Sequence, residues 1–220
     1  MIYVEKSAEH LPLTQIVAKN NNIEIIDDGY IIDDKKSNVV ITNVLDNFVH
    51  PCPATNIYRC CNYHVVDIMQ GCPFDCAYCI LQLYLPHSHI RVTGNTDKVV
   101  DNIKSAVSDK KLRIGSGELA DSLAMDKVIP LSKIIVPEVN KLDNIQFEFK
   151  TKSDVVDNLL ELNPKNCLVS WSLNPQKIID IEEPRTASLE RRLQACENVV
   201  RHGYKAVSYT HLTLPTNVNV

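Results

Sequence analysis

The chain has 220 residues, of which 45% are hydrophobic and 23% charged, the balance of a globular protein with one substantial domain or a domain and a small partner. Its net charge of −4 gives no broad basic field of the kind that attracts nucleic acid. No apolar run approaches the roughly 20 residues of a membrane helix, and the first residues lack the pattern of a signal peptide. We therefore expect a cytoplasmic protein whose eight cysteines are reduced thiols rather than a disulfide framework.

The first 50 residues predict a small N-terminal α/β unit. Short strands are expected at 2–4, 23–26 and 39–41, and a helix at 14–19, with Pro12 marking its start. Pro51 and Pro53 then flank Cys52 in a segment that cannot be helical, which indicates a linker. The predicted second unit begins there, at residue 51, and extends to residue 207.

Strands and helices alternate through this second unit. Strands are predicted at 63–69, 90–93, 112–114, 145–149, 167–173 and from 204, and helices at 97–107, 154–162 and 188–201. A further helical region at 119–142 is interrupted by Pro130 and Pro137. Repeated βα units predict a parallel sheet curved into a partial (β/α) barrel, with functional residues where strands end and turn toward helices.

Three cysteines lie close together in sequence at one such strand end. Cys72, Cys76 and Cys79 follow the 63–69 strand, and thiolates at this spacing can converge on one metal centre. A four-iron cluster usually takes four cysteines, so three would leave one iron open to another molecule. Zinc is an alternative, with Cys60, Cys61 or His64 as the fourth ligand, and three unrelated buried thiols are a third.

The C-x3-C-x2-C spacing, with an aromatic residue before the last cysteine, resembles the signature of the radical S-adenosylmethionine (radical SAM) superfamily. The resemblance implies a [4Fe-4S] cluster on Cys72, Cys76 and Cys79 whose open iron chelates S-adenosylmethionine. It also implies reductive cleavage of that cofactor to a 5′-deoxyadenosyl radical, with the electron supplied by a donor such as a flavodoxin or ferredoxin.

Further segments resemble one subgroup of that superfamily, the spore photoproduct lyase family. They are residues 51–53, 58–65, 71–73, 76–82, 115–123, 149–152, 172–174, 183–188 and 190–193, and the resemblance covers residues 1 to about 207. It implies a partial barrel of radical SAM type and DNA photoproducts as substrate. It also implies a cofactor site in which Tyr78 lies against the adenine and Lys152 contacts the carboxylate of S-adenosylmethionine. The other residues implied in this site are Ser172 and Asn174 in the same pocket, Gly117 where backbone approaches closely, and Glu118 at the ribose or amino group.

The sequence departs from this family in three places. No cysteine stands between Cys79 and Cys167, where the family has a hydrogen-donating cysteine, and Ile80 replaces a second tyrosine. Residues 208–220 resemble an adapter-derived read-through, so we expect a non-native tail after Val207 and a barrel truncated at its C-terminal end. These departures leave open a related enzyme with another substrate, and an inactive fragment.

Two other functional classes fit parts of the sequence. Residues 115–120 match the G-x-G-x-x-A fingerprint of dinucleotide-binding folds, with Glu138 about 20 residues further on. That interpretation leaves the three cysteines unexplained. A zinc- or cluster-stabilised binding protein without catalytic activity is the second alternative.

Overall fold

A computed structural model describes residues 1–44, 47–52, 62–108 and 111–209 of the chain. In those ranges the protein forms two sheets, both mostly parallel, with helices between the strands. No helix in the described ranges is long and apolar enough to cross a membrane.

The elements follow the predicted alternation closely. The strands are β1 (Ile2–Glu5), β2 (Ile23–Ile26), β3 (Val39–Thr42), β4 (Val49–Pro51), β5 (Tyr63–Val66), β6 (Met69–Gln70), β7 (Ile90–Thr93), β8 (Leu112–Ser116), β9 (Ile145–Thr151), β10 (Cys167–Ser172) and β11 (Lys205–Tyr209). The α-helices are α1 (Pro12–Ala18), α2 (Leu81–Tyr84), α3 (Thr96–Ala106), α4 (Leu131–Val139), α5 (Gln176–Glu182) and α6 (Leu189–His202).

The first sheet has the strand order β2-β1-β3-β7-β6. β2, β1, β3 and β7 are parallel, and the short β6 pairs antiparallel with β7. The sheet therefore combines strands from both sides of residue 50. The division of the chain into domains at that residue stays a prediction.

The second sheet has the order β11-β10-β9-β8-β5-β4. The strands β5, β8, β9, β10 and β11 are parallel, and β4 pairs antiparallel with β5 at one edge. The β8–β9 connection contains α4 and the β10–β11 connection contains α5 and α6, as the predicted βα units require.

The alternation along β9 assigns its residues to two different faces. Ile145, Phe147 and Phe149 are buried in the main hydrophobic core, together with Ile114 of β8 and Trp171 of β10. The residues between them, Gln146, Glu148 and Lys150, belong to the opposite face because successive strand side chains point to opposite sides. This second face is polar, and it forms one wall of the candidate site.

The expected strand at 63–69 is divided into β5 and β6, which belong to different sheets. The chain crosses between the sheets at Asp67 and Ile68, directly before the cysteine segment. At this crossing the backbone N–H of Asp67 donates to Phe48 (3.0 Å) and that of Thr93 donates to Ile68 (3.0 Å). The cysteine segment therefore begins at the junction of the two sheets.

The helix predicted at 154–162 is wrong, because only Leu159–Glu161 forms a 3-10 turn there. Side chains take over the local hydrogen bonding: Ser153 accepts from the N–H of Val155 (3.0 Å), and Asn158 donates to the carboxylate of Asp126 (2.9 Å). Such side-chain bonds compete with helix formation. In the 119–142 region, only α4 is helical, beginning directly after Pro130 and containing Pro137.

Candidate functional site

A cavity of about 660 Å³ lies between the cysteine segment and the polar face of the second sheet. Cys72, Cys76 and Cys79 all line it. Five of the six residues implied as cofactor contacts line it as well: Tyr78, Gly117, Glu118, Lys152 and Ser172. The structure therefore brings together, at one cavity, motifs that lie up to 100 residues apart in sequence, from Cys72 to Ser172.

The cysteine segment, residues 72–79, is held from outside by backbone hydrogen bonds to two other segments. The N–H of Asp75 donates to Pro184 (3.2 Å) and that of Ala77 donates to Glu182 (2.8 Å). Before the segment, the N–H of Gly71 donates to Leu119 (2.9 Å). These bonds fix the path of a loop that has no regular secondary structure of its own.

The three thiols differ in exposure, and burial raises the pKa of two of them. Cys76 is buried, whereas Cys72 and Cys79 are partly exposed. Loss of hydration raises the pKa of Cys72 to about 12 and that of Cys76 to about 11, although the nearby Lys152 acts to lower the latter. Thiolates at these positions need a cation to compensate their charge, and a bound metal centre supplies one. Three soft sulfur donors on one cavity fit an iron–sulfur cluster.

The predicted alternative zinc ligands are placed differently. His64 does not line the cavity, and its Nδ1 lies 3.3 Å from the carbonyl oxygen of Asn62. Cys60 and Cys61 lie outside the described residues. Within the described ranges, no three His, Cys, Asp or Glu side chains are grouped as ligands of a single metal ion. Cys52, which lies between two prolines in the predicted linker, also lines the cavity.

Tyr78 is tied to the protein interior through Glu183. The Tyr78 hydroxyl donates to Oε1 of Glu183, and Nη2 of Arg192 donates to Oε2 at 2.6 Å. Both side chains of this ion pair are fully buried. Burial acts to raise the pKa of Glu183, but the hydrogen bonds from Tyr78 and Arg192 outweigh it and hold the pKa below its usual range.

Ser172, at the end of β10, and Asn174, just after it, contact the same hydrogen-bond network. Asn174 does not line the cavity; its side-chain amide donates to Oε1 of Glu183 at 2.7 Å. Nη1 of Arg192 donates to the backbone carbonyl of Ser172 at 2.8 Å. The side-chain amide of Asn174 thus helps to position Glu183, the carboxylate that accepts from Tyr78.

Asp121, which the sequence did not single out, organises the end of β9. Its carboxylate accepts from the hydroxyl of Thr151 (2.8 Å) and the backbone N–H of Lys152 (2.6 Å). It also accepts from the N–H groups of Leu123 and Ala124. Complete burial raises its pKa despite these bonds. Asp121 therefore fixes the backbone from which the Lys152 side chain enters the cavity.

Gly117 allows the backbone to pass close to β9. Its φ is +96°, and a Cβ atom there would lie 2.7 Å from Oγ of Ser122 and 3.1 Å from the carbonyl of Lys150. The residues after Gly117 form turns up to Pro130 and no helix starts there. This geometry lacks the helix N-terminus that binds the pyrophosphate in a dinucleotide fold, so the fingerprint at 115–120 is not that motif.

Comparison with known proteins agrees with the geometry. The sequence model of the family described as spore photoproduct lyase matches residues 57–210, which is well over half of the chain. The chain belongs to the spore photoproduct lyase family. Spore photoproduct lyase of Geobacillus sp. (strain Y412MC61) is 29% identical over 147 residues, covering 64% of this chain and 43% of the relative. The chain thus spans less than half the length of that curated relative.

Solved structures of the family share the fold. A structure of spore photoproduct lyase complexed with dinucleoside spore photoproduct has a TM-score of 0.82 and 21% identity, over 96% of this chain and 66% of that one. A double mutant with bound AdoMet and dinucleoside spore photoproduct has a TM-score of 0.81 and 22% identity, over 94% and 66%. The expected fold class, a partial radical SAM barrel, is confirmed.

Proposed function

We propose that this protein is a radical SAM enzyme in which Cys72, Cys76 and Cys79 hold a [4Fe-4S] cluster. The observation that carries the proposal is the single cavity lined by all three thiols and by Tyr78, Gly117, Glu118, Lys152 and Ser172. Membership of the spore photoproduct lyase family supports it. A bound cluster and S-adenosylmethionine would supply a carbon radical that abstracts hydrogen from a substrate.

The residues around the thiols have distinct proposed tasks. The Lys152 ammonium, 5.7 Å from the ring centroid of Tyr78, would pair with the carboxylate of S-adenosylmethionine. Tyr78 would present its ring to the adenine, since its hydroxyl is fixed by Glu183. The carboxylate of Glu118 and the hydroxyl of Ser172 would bind the ribose or the amino group. The close backbone approach at Gly117 leaves room for the cofactor.

We further propose DNA photoproducts as the substrate, with a low-potential flavodoxin or ferredoxin as electron donor. The relatives support the substrate class, since their structures contain a dinucleoside spore photoproduct. The hydrogen-donating step differs from that of the family, because no cysteine occupies residues 80–166. Among the described residues, the cavity contains one thiol beyond the proposed cluster ligands, that of Cys52.

Anaerobic reconstitution with iron, sulfide and reductant tests the proposal. We expect about four irons per chain and formation of 5′-deoxyadenosine from S-adenosylmethionine. Cys76→Ala should lose most of the iron and all of the cleavage, because three thiolates are needed to hold the cluster. Cys196→Ser is the matched control, since Cys196 is a free cysteine on α6 outside the cavity lining.

The alternatives give different results in the same preparation. One zinc per chain with no cleavage of S-adenosylmethionine identifies a metal-stabilised binding protein. Equal iron contents in Cys76→Ala and Cys196→Ser would contradict the assignment of the ligands. Repair of dinucleoside spore photoproduct, measured as release of thymidine units, separately tests the proposed substrate.

A further inference from the structure

The cavity has a second polar region that the proposed cluster and cofactor contacts do not include. Tyr63, Arg113, Glu148, Lys150 and Tyr209 all line it. They come from neighbouring strands of the second sheet, where Tyr63 of β5 lies opposite Arg113 of β8. We name Tyr63, Arg113 and Lys150 the floor cluster.

The hydroxyl of Tyr63 is a donor with an unused hydrogen bond. The residue is 8% exposed, and its hydroxyl oxygen is buried with no hydrogen-bond partner in the structure. A buried polar group in this state costs free energy unless a ligand or water completes it. Burial raises its pKa, so the phenol stays protonated and able to donate.

The fold leaves space for this hydroxyl at Gly115. A Cβ atom on Gly115 would lie 1.9 Å from the Tyr63 hydroxyl oxygen, a distance that no side chain tolerates. Only glycine therefore allows the phenol to reach its position on the polar face. Gly115, the first glycine of the 115–120 pattern, therefore leaves room for the Tyr63 side chain and not for a dinucleotide.

Two cations accompany the phenol. Nζ of Lys150 lies 4.5 Å from the centroid of the Tyr63 ring, and Cζ of Arg113 lies 5.9 Å from it. Among the described residues, neither cation has a carboxylate within ion-pair distance. Glu148 is nearby and buried, but its Oε1 already accepts from the hydroxyls of Ser170 and Tyr209. The cluster thus combines two cations and a phenol hydroxyl with one nearby carboxylate, that of Glu148, which also acts on the Tyr63 hydroxyl.

We infer that the floor cluster binds a phosphoryl group of the substrate. Its three donors come from three different strands, so a ligand must offer oxygens in several directions. A phosphoryl group does so, whereas a carboxylate offers two oxygens in one plane. Arginine and lysine beside a neutral hydroxyl donor are common partners of phosphate. The inference concerns the same cavity as the proposed function, but it does not require the cluster.

Binding of small phosphates to the 220-residue chain without iron tests this inference. The probes are inorganic phosphate, methyl phosphate and dimethyl phosphate, followed by their ³¹P NMR lines. Acetate, followed by its ¹H line, is the carboxylate comparison. We expect saturable binding of at least one phosphate, weakened about tenfold or more by Lys150→Met and by Arg113→Met. Tyr63→Phe should weaken it less, because one neutral hydrogen bond is lost.

Lys98→Met is the matched control, since Lys98 is on α3 and outside the cavity lining. Binding of dimethyl phosphate would indicate a nucleic-acid backbone, and binding of the monoester alone would indicate a terminal phosphate; both support the inference. No phosphate binding by the folded wild-type chain overturns it. Equal phosphate affinities of the wild type, Lys150→Met and Arg113→Met would also overturn the inference. Acetate binding as tight as phosphate binding would overturn it as well. Iron content after reconstitution is measured separately, so failure here leaves the cluster assignment standing.

Discussion

Glu183 connects three separate segments of the chain at the site. It is a fully buried carboxylate that links Tyr78, in the cysteine segment, to Arg192 on α6 and Asn174 after β10. Removing one member of a buried ion pair leaves the other charge without compensation. The stability of the fold and the position of Tyr78 therefore depend on the same carboxylate.

We predict that Glu183→Gln lowers the free energy of unfolding by about 3 kcal/mol, because the Arg192 guanidinium stays buried without its counter-charge. Denaturant unfolding measures this. Glu197→Gln is the control: Glu197 pairs with Arg201 on the exposed face of α6, and its loss should cost less than about 0.5 kcal/mol. Equal effects of the two substitutions would show that the buried pair is not stabilising.

The contact between His50 and Asp67 predicts how the stability of the fold depends on pH. Nε2 of His50 donates to the carboxylate of Asp67 at 2.6 Å, and this hydrogen bond raises the pKa of His50 above its ordinary value of 6.5. A raised histidine pKa stabilises the fold below the unfolded-state pKa, and this contribution disappears as pH rises through the folded-state pKa. The stability difference between wild type and His50→Gln should therefore be larger at about pH 6, below the unfolded-state pKa of His50, than at about pH 9, above its folded-state pKa.

Thermal unfolding across this pH range tests the effect. His10→Gln, at an exposed position on another segment, is the control. A pH dependence of the same size for His10→Gln would show that the contact with Asp67 is not its cause.

At the scale of elements, the turn after β8 is tightly constrained at Gly117. Gly117→Ala should destabilise the fold in two ways, through the positive φ of +96° and through contact with Ser122 and the backbone of Lys150. Gly29 has a similar φ of +75° but nothing within 4 Å of an added Cβ. Gly29→Ala should therefore cost about 1 kcal/mol, and Gly117→Ala about 1–3 kcal/mol more. Unfolding free energies of the two variants measure the difference, and equal values would mean that the close approach costs nothing.

Elements with strong local patterns could be located from the sequence. The strands at 23–26 and 90–93 have the predicted bounds, because β-branched residues lie there between clear turn signals. The helix expected at 154–162 fails because Ser153 and Asp126 provide side-chain hydrogen bonds that no local pattern reveals. The short α5 was not predicted, since it follows Pro175 with little apolar periodicity.

Only those residues of the candidate site that belong to a recognisable motif could be predicted from the sequence. The cysteine spacing and the resemblance to the family indicated the thiols and five further cavity residues. Asp121 and the separate Glu183–Arg192 pair were missed, because the fold brings their partners together from distant parts of the sequence. Tyr63 was missed because its significance depends on Gly115, which lies across the β5–β8 pair.

At the scale of the whole molecule, the site lies where two sheets meet. The chain leaves β5 in the second sheet, enters β6 in the first, and then forms the cysteine segment. Residues 182–184, at the end of α5, hold the segment from the other side. Cluster binding should therefore be sensitive to the junction as a whole and not only to the three thiols.

The C-terminal strand allows a test of the predicted boundary at residue 207. β11 continues to Tyr209, which pairs with Ser172; its carbonyl accepts from the N–H of Leu173 (2.7 Å) and its hydroxyl donates to Glu148 (3.1 Å). A chain ending after Val207 loses both hydrogen bonds and a side chain that lines the cavity. We expect its Tm to be lower by about 2–6 °C, corresponding to about 1–2 kcal/mol.

A chain ending after Tyr209 is the matched comparison, since it keeps every β11 contact and lacks only residues 210–220. We expect it to melt at the temperature of the 220-residue chain, as the sequence prediction of a non-native tail requires. A loss of stability in the chain ending after Tyr209 would show that residues 210–220 contribute to the fold. An unchanged Tm in the chain ending after Val207 would instead show that the end of β11 adds nothing to the sheet. The two truncations therefore separate the strand from the tail, because they differ only by Ser208 and Tyr209.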